Sequence, residues 1–287
     1  MQFPLEVAAM LKDIFKSISI PSIMGILNLT EDSFSDGGRY LSIDSAISYA
    51  QELIFAGATI LDIGAESTRP GSKEVSAELE WGRIEPVLTK LKQSFPHIQI
   101  SIDTQKASVA RKAIALGADI INDVSALRND PDMVQVLAEA KDTRLVLMHM
   151  QGRPENMQDK PEYQDVVKEV HDFLKERSEY AIMMGIYPQR LILDPGIGFG
   201  KNLEHNLKLL SSLDSFNDLN IPLLLGTSRK RFIDEITRSE VHRRIGGTLT
   251  TTMLACLSKV QIIRVHDVYE HAQFLKVLAA VAVMGET

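Results

Sequence analysis

Four aspartates, an asparagine and a set of cations stand at or near the ends of short apolar runs spaced along the chain. Asp62, Asp103, the pair Asn122-Asp123 and Asp194 each fall within or close after a run of Ile, Leu and Val. Arg69, Lys201, Arg229, Lys230, Arg264 and His266 occupy comparable positions. A carboxylate offers only acceptors, asparagine offers a donor and an acceptor, and lysine offers donors. Brought together, they would complement the edge of a flat 2-aminopyrimidinone, as in guanine or a pterin. One such aspartate would ordinarily be a helix N-cap; several around one mouth call for a ligand. The cations gather there although the formal net charge is −7, which points to an anionic group on that ligand. Arg264 and His266 are two apart in an extended run and share a face. Ser228 is placed to begin a helix, whose free N–H groups favour a carboxylate or phosphate.

The elements that must position these groups recur with regularity. Eight apolar runs are found near 23–27, 59–63, 98–102, 118–121, 144–148, 191–193, 223–225 and 261–265. Between them lie segments of helical period. One places Ile43, Ala46, Ile47, Ala50, Leu53 and Ile54 on a face, with Ser42 as N-cap and Gly57 past the end. Asp130-Pro131 and Asn202 predict two further helix starts, and an amphipathic helix is expected around Val166, Val170 and Leu174. Runs apolar on both faces and separated by helices demand a covered parallel sheet. The count of eight, the 287-residue length and the polar strand ends favour an α/β fold of the (β/α)₈ TIM-barrel type, a single domain with its site at the carboxyl rim. A doubly wound open sheet is the rival, but there only strands near the switch point need polar ends. Residues 22–287 are assigned to the barrel and 1–21 to an N-terminal extension. The connections 28–42 and 64–76 are long for βα loops and rich in Gly, Ser, Asp and Pro. They are either ligand-covering loops or plain surface.

Composition narrows the class. Hydrophobic residues make up 45% and charged residues 24%, as in a soluble globular protein with a sizeable core. No apolar run approaches the roughly 20 residues that cross a bilayer. Residues 1–22 lack the basic start of a signal peptide, so the cytoplasm is the expected compartment. The acidic balance argues against nucleic acid as a partner. A single cysteine, Cys256, excludes an intrachain disulfide and reads as a buried thiol in an apolar helix. Three motifs fail on inspection. In 194–201 proline occupies the P-loop's first glycine position and Asn202 replaces its Ser/Thr; the dinucleotide fingerprint lacks its third glycine. The stretch 32–37 puts Phe34 where a calcium loop needs a ligand. No histidine pair has zinc-site spacing.

The motifs together resemble the dihydropteroate synthase family of pterin-binding barrels. The likeness rests on residues 24–38 (MGILNLTEDSFSDGG), 66–71 (ESTRPG), 101–104 (SIDT), 121–125 (INDVS), 148–152 (MHMQG), 194–201 (DPGIGFGK), 228–230 (SRK) and 264–267 (RVHD). It runs in order from about residue 22 to the end. The resemblance implies a pterin pocket of Asp103, Asn122, Met148, Asp194, Lys230 and Arg264. It implies a diphosphate site of Asn28, Arg69, Arg264 and His266, with Asn28 beside a Mg²⁺ ion. The p-aminobenzoate side would hold Phe34, Thr68, Pro70, Phe199, Lys201 and Ser228. Asp103, Lys230, Arg264 and His266 would be the catalytic group, while Asp62 and His149 support the site without touching reactants. The implied reaction joins p-aminobenzoate to 6-hydroxymethyl-7,8-dihydropterin diphosphate in folate biosynthesis. Sulfonamide inhibition and a homodimer are further implications. Ala65, Arg153 and Arg231 depart from the usual family wording, and Arg231 places an extra charge near the p-aminobenzoate side. The alternatives are a pterin-binding methyltransferase domain, which would not need 67–70 or 228–230, and a non-catalytic pterin sensor.

Overall fold

The computed structural model describes residues 18–29, 43–67, 75–152 and 156–284. Strand and helix alternate through β1 (Ser22–Asn28), α1 (Ile43–Ala56), β2 (Ile60–Gly64), α2 (Ala77–Ser94), β3 (Gln99–Asp103), α3 (Ala107–Ala115) and β4 (Ile120–Asp123). They continue through α4 (Met133–Glu139), β5 (Arg144–Met148), α5 (Val166–Met183), β6 (Leu191–Asp194), α6 (Leu203–Ser211) and β7 (Leu224–Leu225). The last elements are α7 (Arg231–Thr237), α8 (Ile245–Leu257), β8 (Ile262–Val265) and α9 (Val268–Met284). The strands pair in parallel in the order β6-β5-β4-β3-β2-β1-β8-β7. A parallel bridge between Leu193 and Leu223 joins the two outer strands and closes the barrel. An open doubly wound sheet would leave the first strand internal and the edges apart, so that alternative is excluded.

Strand periodicity divides the barrel into two apolar layers. Met24, Ile60, Ile120, Val146, Ile192, Leu224 and Ile262, from seven different strands, form an interior cluster. β3 places Ser101 on that inner face, in register with Asp62 on one side and Ile120 on the other. The alternate residues, among them Leu61, Ile63, Ile100, Ile121, Leu145, Leu193 and Ile263, pack outward against the helices. At Gly25 on that outer face an added Cβ would lie 3.2 Å from Val268 and 3.4 Å from both Ala58 and Leu53. Only glycine lets these neighbours close on β1 so tightly.

One helix start follows its sequence signal, and a second has a side-chain cap that the sequence reading did not single out. Asn202 caps α6 by accepting from His205 N–H and completes a reciprocal capping box. Asp165 caps α5 through Val167 and Lys168 N–H. Asp130-Pro131 stands just ahead of its helix: α4 begins at Met133, with Asp130 Oδ1 accepting the Asp132 N–H at 3.0 Å and Oδ2 accepting the Ala107 N–H at 2.8 Å. Ser228 also departs from expectation. α7 starts at Arg231, and Arg229 takes a left-handed φ of 59°, so Ser228 lies in a turn before the helix.

Candidate active site

The inner faces of the strand ends converge on one polar layer above the apolar interior. Register fixes which residues contribute: Asp103 pairs with Asn122, Asp62 with Ile26, Met148 with Asp194, and Asn28 with Gly64. At its base lies an ionic cluster. Arg264 Nε donates to Asp62 Oδ2 at 2.6 Å, and its Nη2 donates to Asp103 Oδ2 at 3.1 Å. Asn122 Nδ2 approaches Asp62 Oδ2 at 3.4 Å. Burial and then the Asp62 charge push the Asp103 carboxyl up to about 8, only partly opposed by Arg264. Burial alone would weaken the Arg264 cation, but Asp62, Asp103 and Asp194 outweigh it and hold the guanidinium protonated.

The opposite wall is built by the loop after β6. Asp194 Oδ1 accepts the Gly196 N–H at 2.7 Å, which fixes the carboxylate plane. Burial raises the Asp194 carboxyl, against the pull of that N–H and of Lys230, Arg264 and Lys201. Lys230 donates to the Ile197 carbonyl, and its ammonium lies 4.1 Å from the Phe199 ring centroid. Burial brings Lys230 down to about 8. Phe199 packs against Met148, Val124, Met150 and Met157, an apolar slab beside the polar layer. The loop depends on Gly196: at φ +66° its added Cβ would stand 1.9 Å from the His149 carbonyl oxygen.

Lys201 stands at the end of the loop after β6. Its ammonium is buried and donates to the carbonyls of Gly196 (2.9 Å) and Phe199 (3.0 Å) and to His149 Nδ1 (2.9 Å). Two of these partners belong to its own loop and the third follows β5, so Lys201 braces the loop after β6 against the end of β5. Burial, then the Lys201 and Arg128 charges, drive His149 down to about 2, leaving it a neutral acceptor that supports the site. Asp123 and Arg229 leave the ligand-facing set. Asp123 accepts from Ser125 N–H, Ser125 Oγ–H and Leu127 N–H, holding a turn in which Ala126 and Leu127 have positive φ. Arg229 forms a forked pair with Asp267 that ties the loop after β7 to the loop after β8. Cys256 is buried and inert, its thiol raised to about 11 by burial.

Ser228 and His266 meet at the rim. Ser228 Oγ accepts the His266 backbone N–H at 3.1 Å and lies 3.0 Å from His266 Nδ1. Arg231 is exposed and paired with Glu235 at 3.0 Å, so its charge is turned to solvent. Asn28 is half-buried at the end of β1. An added Cβ on Gly64 would be 3.7 Å from both Asn28 Oδ1 and Asp103 Oδ2, so the missing side chain leaves these oxygens a common space. An amide oxygen there suits Mg²⁺, which takes few protein oxygens and completes its shell with phosphate and water. Among the described residues no group of three His, Cys, Asp or Glu forms a protein-only metal cage. Phe34, Thr68, Arg69, Pro70 and Arg153 lie outside the described residues. Lys106 was not foreseen: its ammonium binds both Glu66, just after β2, and the buried Glu80 of α2 at 2.7 Å. A lysine one residue before α3 carries no local signal of that contact.

The closed (β/α)₈ barrel carries a buried polar cluster at its carboxyl rim, where enzymes of this fold hold their active sites, and the pterin binding enzyme family matches residues 24–266. A dihydropteroate synthase of Neisseria meningitidis serogroup B is 48% identical over 269 residues, 92% of this chain and 93% of the relative. The Yersinia pestis dihydropteroate synthase in complex with a sulfonamide drug superposes with a TM-score of 0.87 at 41% identity, over 92% and 94% of the two chains. The Xanthomonas albilineans dihydropteroate synthase with 4-aminobenzoic acid gives 0.85 at 44% identity, over 91% and 93%. The chain belongs to the pterin-binding enzymes and, among them, to the dihydropteroate synthases. A methyltransferase domain or a mere sensor finds no support in these relatives.

Proposed function

We propose that the pocket binds 6-hydroxymethyl-7,8-dihydropterin diphosphate and transfers its pterinylmethyl group to p-aminobenzoate, giving 7,8-dihydropteroate and diphosphate in folate biosynthesis. The observation that carries this reading is the convergence of Asp103, Asn122, Asp194, Lys230 and Arg264 on one inner face. Asp194, Asp103 and Asn122 accept from the pterin edge, Lys230 donates to a ring acceptor, and Met148 and Arg264 lie against the ring. Asn28, Arg69 and His266 with Arg264 hold the diphosphate. Phe199, Ser228, Phe34, Thr68 and Pro70 form the p-aminobenzoate side, with Lys201 bracing the loop that carries Phe199.

The reaction runs in an SN1-like order. The bond from the exocyclic methylene to the diphosphate oxygen breaks, and its electron pair leaves with diphosphate. The cation left on the methylene is delocalised into the pterin, where the ionised Asp103 stabilises it. The arylamine lone pair then forms the C–N bond, and the ammonium proton passes to solvent. Orientation by Ser228 and exclusion of water matter more than deprotonation, since an arylamine is already neutral. Mg²⁺, when bound beside Asn28, supplies charge neutralisation to the departing diphosphate. No covalent enzyme intermediate is needed. In this reading residues 22–287 are the catalytic barrel, 1–21 an extension, and the protein works in the cytoplasm as a homodimer, with no nucleic-acid or membrane partner.

The test supplies both substrates and Mg²⁺ and follows dihydropteroate and diphosphate. Stoichiometric formation of both, lost on omission of either substrate and competed by a sulfonamide against p-aminobenzoate, is expected. Absence of dihydropteroate under those conditions would refute the reading. Light scattering reports the oligomeric state.

A further inference from the structure

We infer that Asp62, one layer below the rim, is a positioning residue that sets the direction of two ring-facing side chains, Arg264 and Asn122. The inference rests on the proposed pterin pocket and deepens it. Asp62 is fully buried on the inner face of β2. One of its oxygens, Oδ2, serves both neighbours: it accepts Arg264 Nε–H at 2.6 Å and lies 3.4 Å from Asn122 Nδ2. With Nε on Asp62 and Nη2 on Asp103, the planar guanidinium is pinned at two points and cannot rotate out of its plane.

The effect on Asn122 is one of polarity. An amide can present either its oxygen or its NH₂ to a ligand. A carboxylate beneath it accepts only N–H, so Nδ2 is committed downward and Oδ1 is left to the pocket as an acceptor. Asp62 therefore decides that this position reads a ring N–H. Without that carboxylate the amide is free to flip and offer a donor.

A purely structural carboxylate would have both oxygens satisfied. Among the described residues Asp62 Oδ1 has no hydrogen-bond partner, and neither does Ser101 Oγ, which sits beside it in register on β3. Buried unpaired polar atoms are unfavourable for the fold. Their retention beneath the pocket is what a residue kept for the site, and not for stability, would show.

The test compares Asp62→Asn, Arg264→Ala and the double variant, using calorimetric titration with oxidised 6-hydroxymethylpterin and steady-state kinetics. Asp62→Asn is expected to weaken pterin binding at least tenfold and lower kcat/KM for the pterin substrate similarly. The KM for p-aminobenzoate should stay within twofold. The double variant should be no worse than Arg264→Ala by more than the small share carried through Asn122, about threefold. Should Asp62→Asn fold poorly by circular dichroism, Arg264→Lys keeps the charge but loses the Nε–H, and it should reproduce the tenfold loss. Pterin binding unchanged in Asp62→Asn or Arg264→Lys, losses that multiply in the double variant, or equal losses for both substrates would overturn the inference. Wild-type protein that binds pterin yet makes no dihydropteroate would overturn the reaction while the Asp62 titration still decides its role.

Discussion

Asp194→Asn is the substitution that separates recognition from folding most cleanly. The Gly196 N–H at 2.7 Å needs an acceptor, so the new amide must keep its oxygen at the Oδ1 position. Its NH₂ is then forced into the place of Oδ2, which lies 3.9 Å from where a Gly226 Cβ would stand and faces the pocket. A donor now meets the pterin's own N–H donors. Two hydrogen bonds to a charged acceptor are lost, each worth about 1.5–3 kcal/mol. A total of about 3–6 kcal/mol corresponds to roughly two to four orders of magnitude in affinity. Stability should move the other way. Burial raises the Asp194 carboxyl in the fold, so its ionised form is unfavourable there near neutral pH, and a neutral isostere removes that burden. Titration calorimetry with a pterin analogue and a denaturant melt measure the two effects independently. A loss under fivefold with an unchanged melt would show that Asp194 does not read the ring.

Three further outcomes follow from the same geometry. Asp103 is raised to about 8 and must be ionised to stabilise the cation, whereas Lys230 is lowered to about 8 and must be protonated to donate. Activity on the pterin substrate should therefore rise toward pH 8 and fall above it, with Asp103→Asn erasing the acid limb; a flat profile from pH 6 to 9 would contradict these assignments. Ser228→Ala should raise the KM for p-aminobenzoate about tenfold, the value of one hydrogen bond to a carboxylate, with pterin binding within twofold by calorimetry. Gly196→Ala combines a left-handed φ with a Cβ 1.9 Å from a backbone oxygen, so unfolding should cost less by at least about 4 kcal/mol in denaturant titration; a loss under about 1 kcal/mol would mean that the loop can move.

Much of this was legible along the chain because it depends on local pattern. Eight apolar runs separated by helical periods specify eight strands and their helices, and Asn202 announces its helix within four residues. The polar strand ends follow from the same alternation, since residues two apart share a face. Which face is inward is a different matter. Asn122 and Asp123 are adjacent and both polar, and only the pairing of β4 with β3 turns Asn122 into the barrel and Asp123 out to hold a turn. Lys201 carries the same charge as Lys230, yet the positive-φ glycines at 196, 198 and 200 fold the loop back so that its own carbonyls capture the Lys201 ammonium. Arg229 and Asp267 are 38 residues apart, and Asp62 and Arg264 are 202 apart. Composition and spacing thus determined the elements and the inventory of chemical groups. Tertiary structure decided which groups face the ligand, because closing the barrel fixes strand register, and register assigns every side chain to the pocket or to the packing.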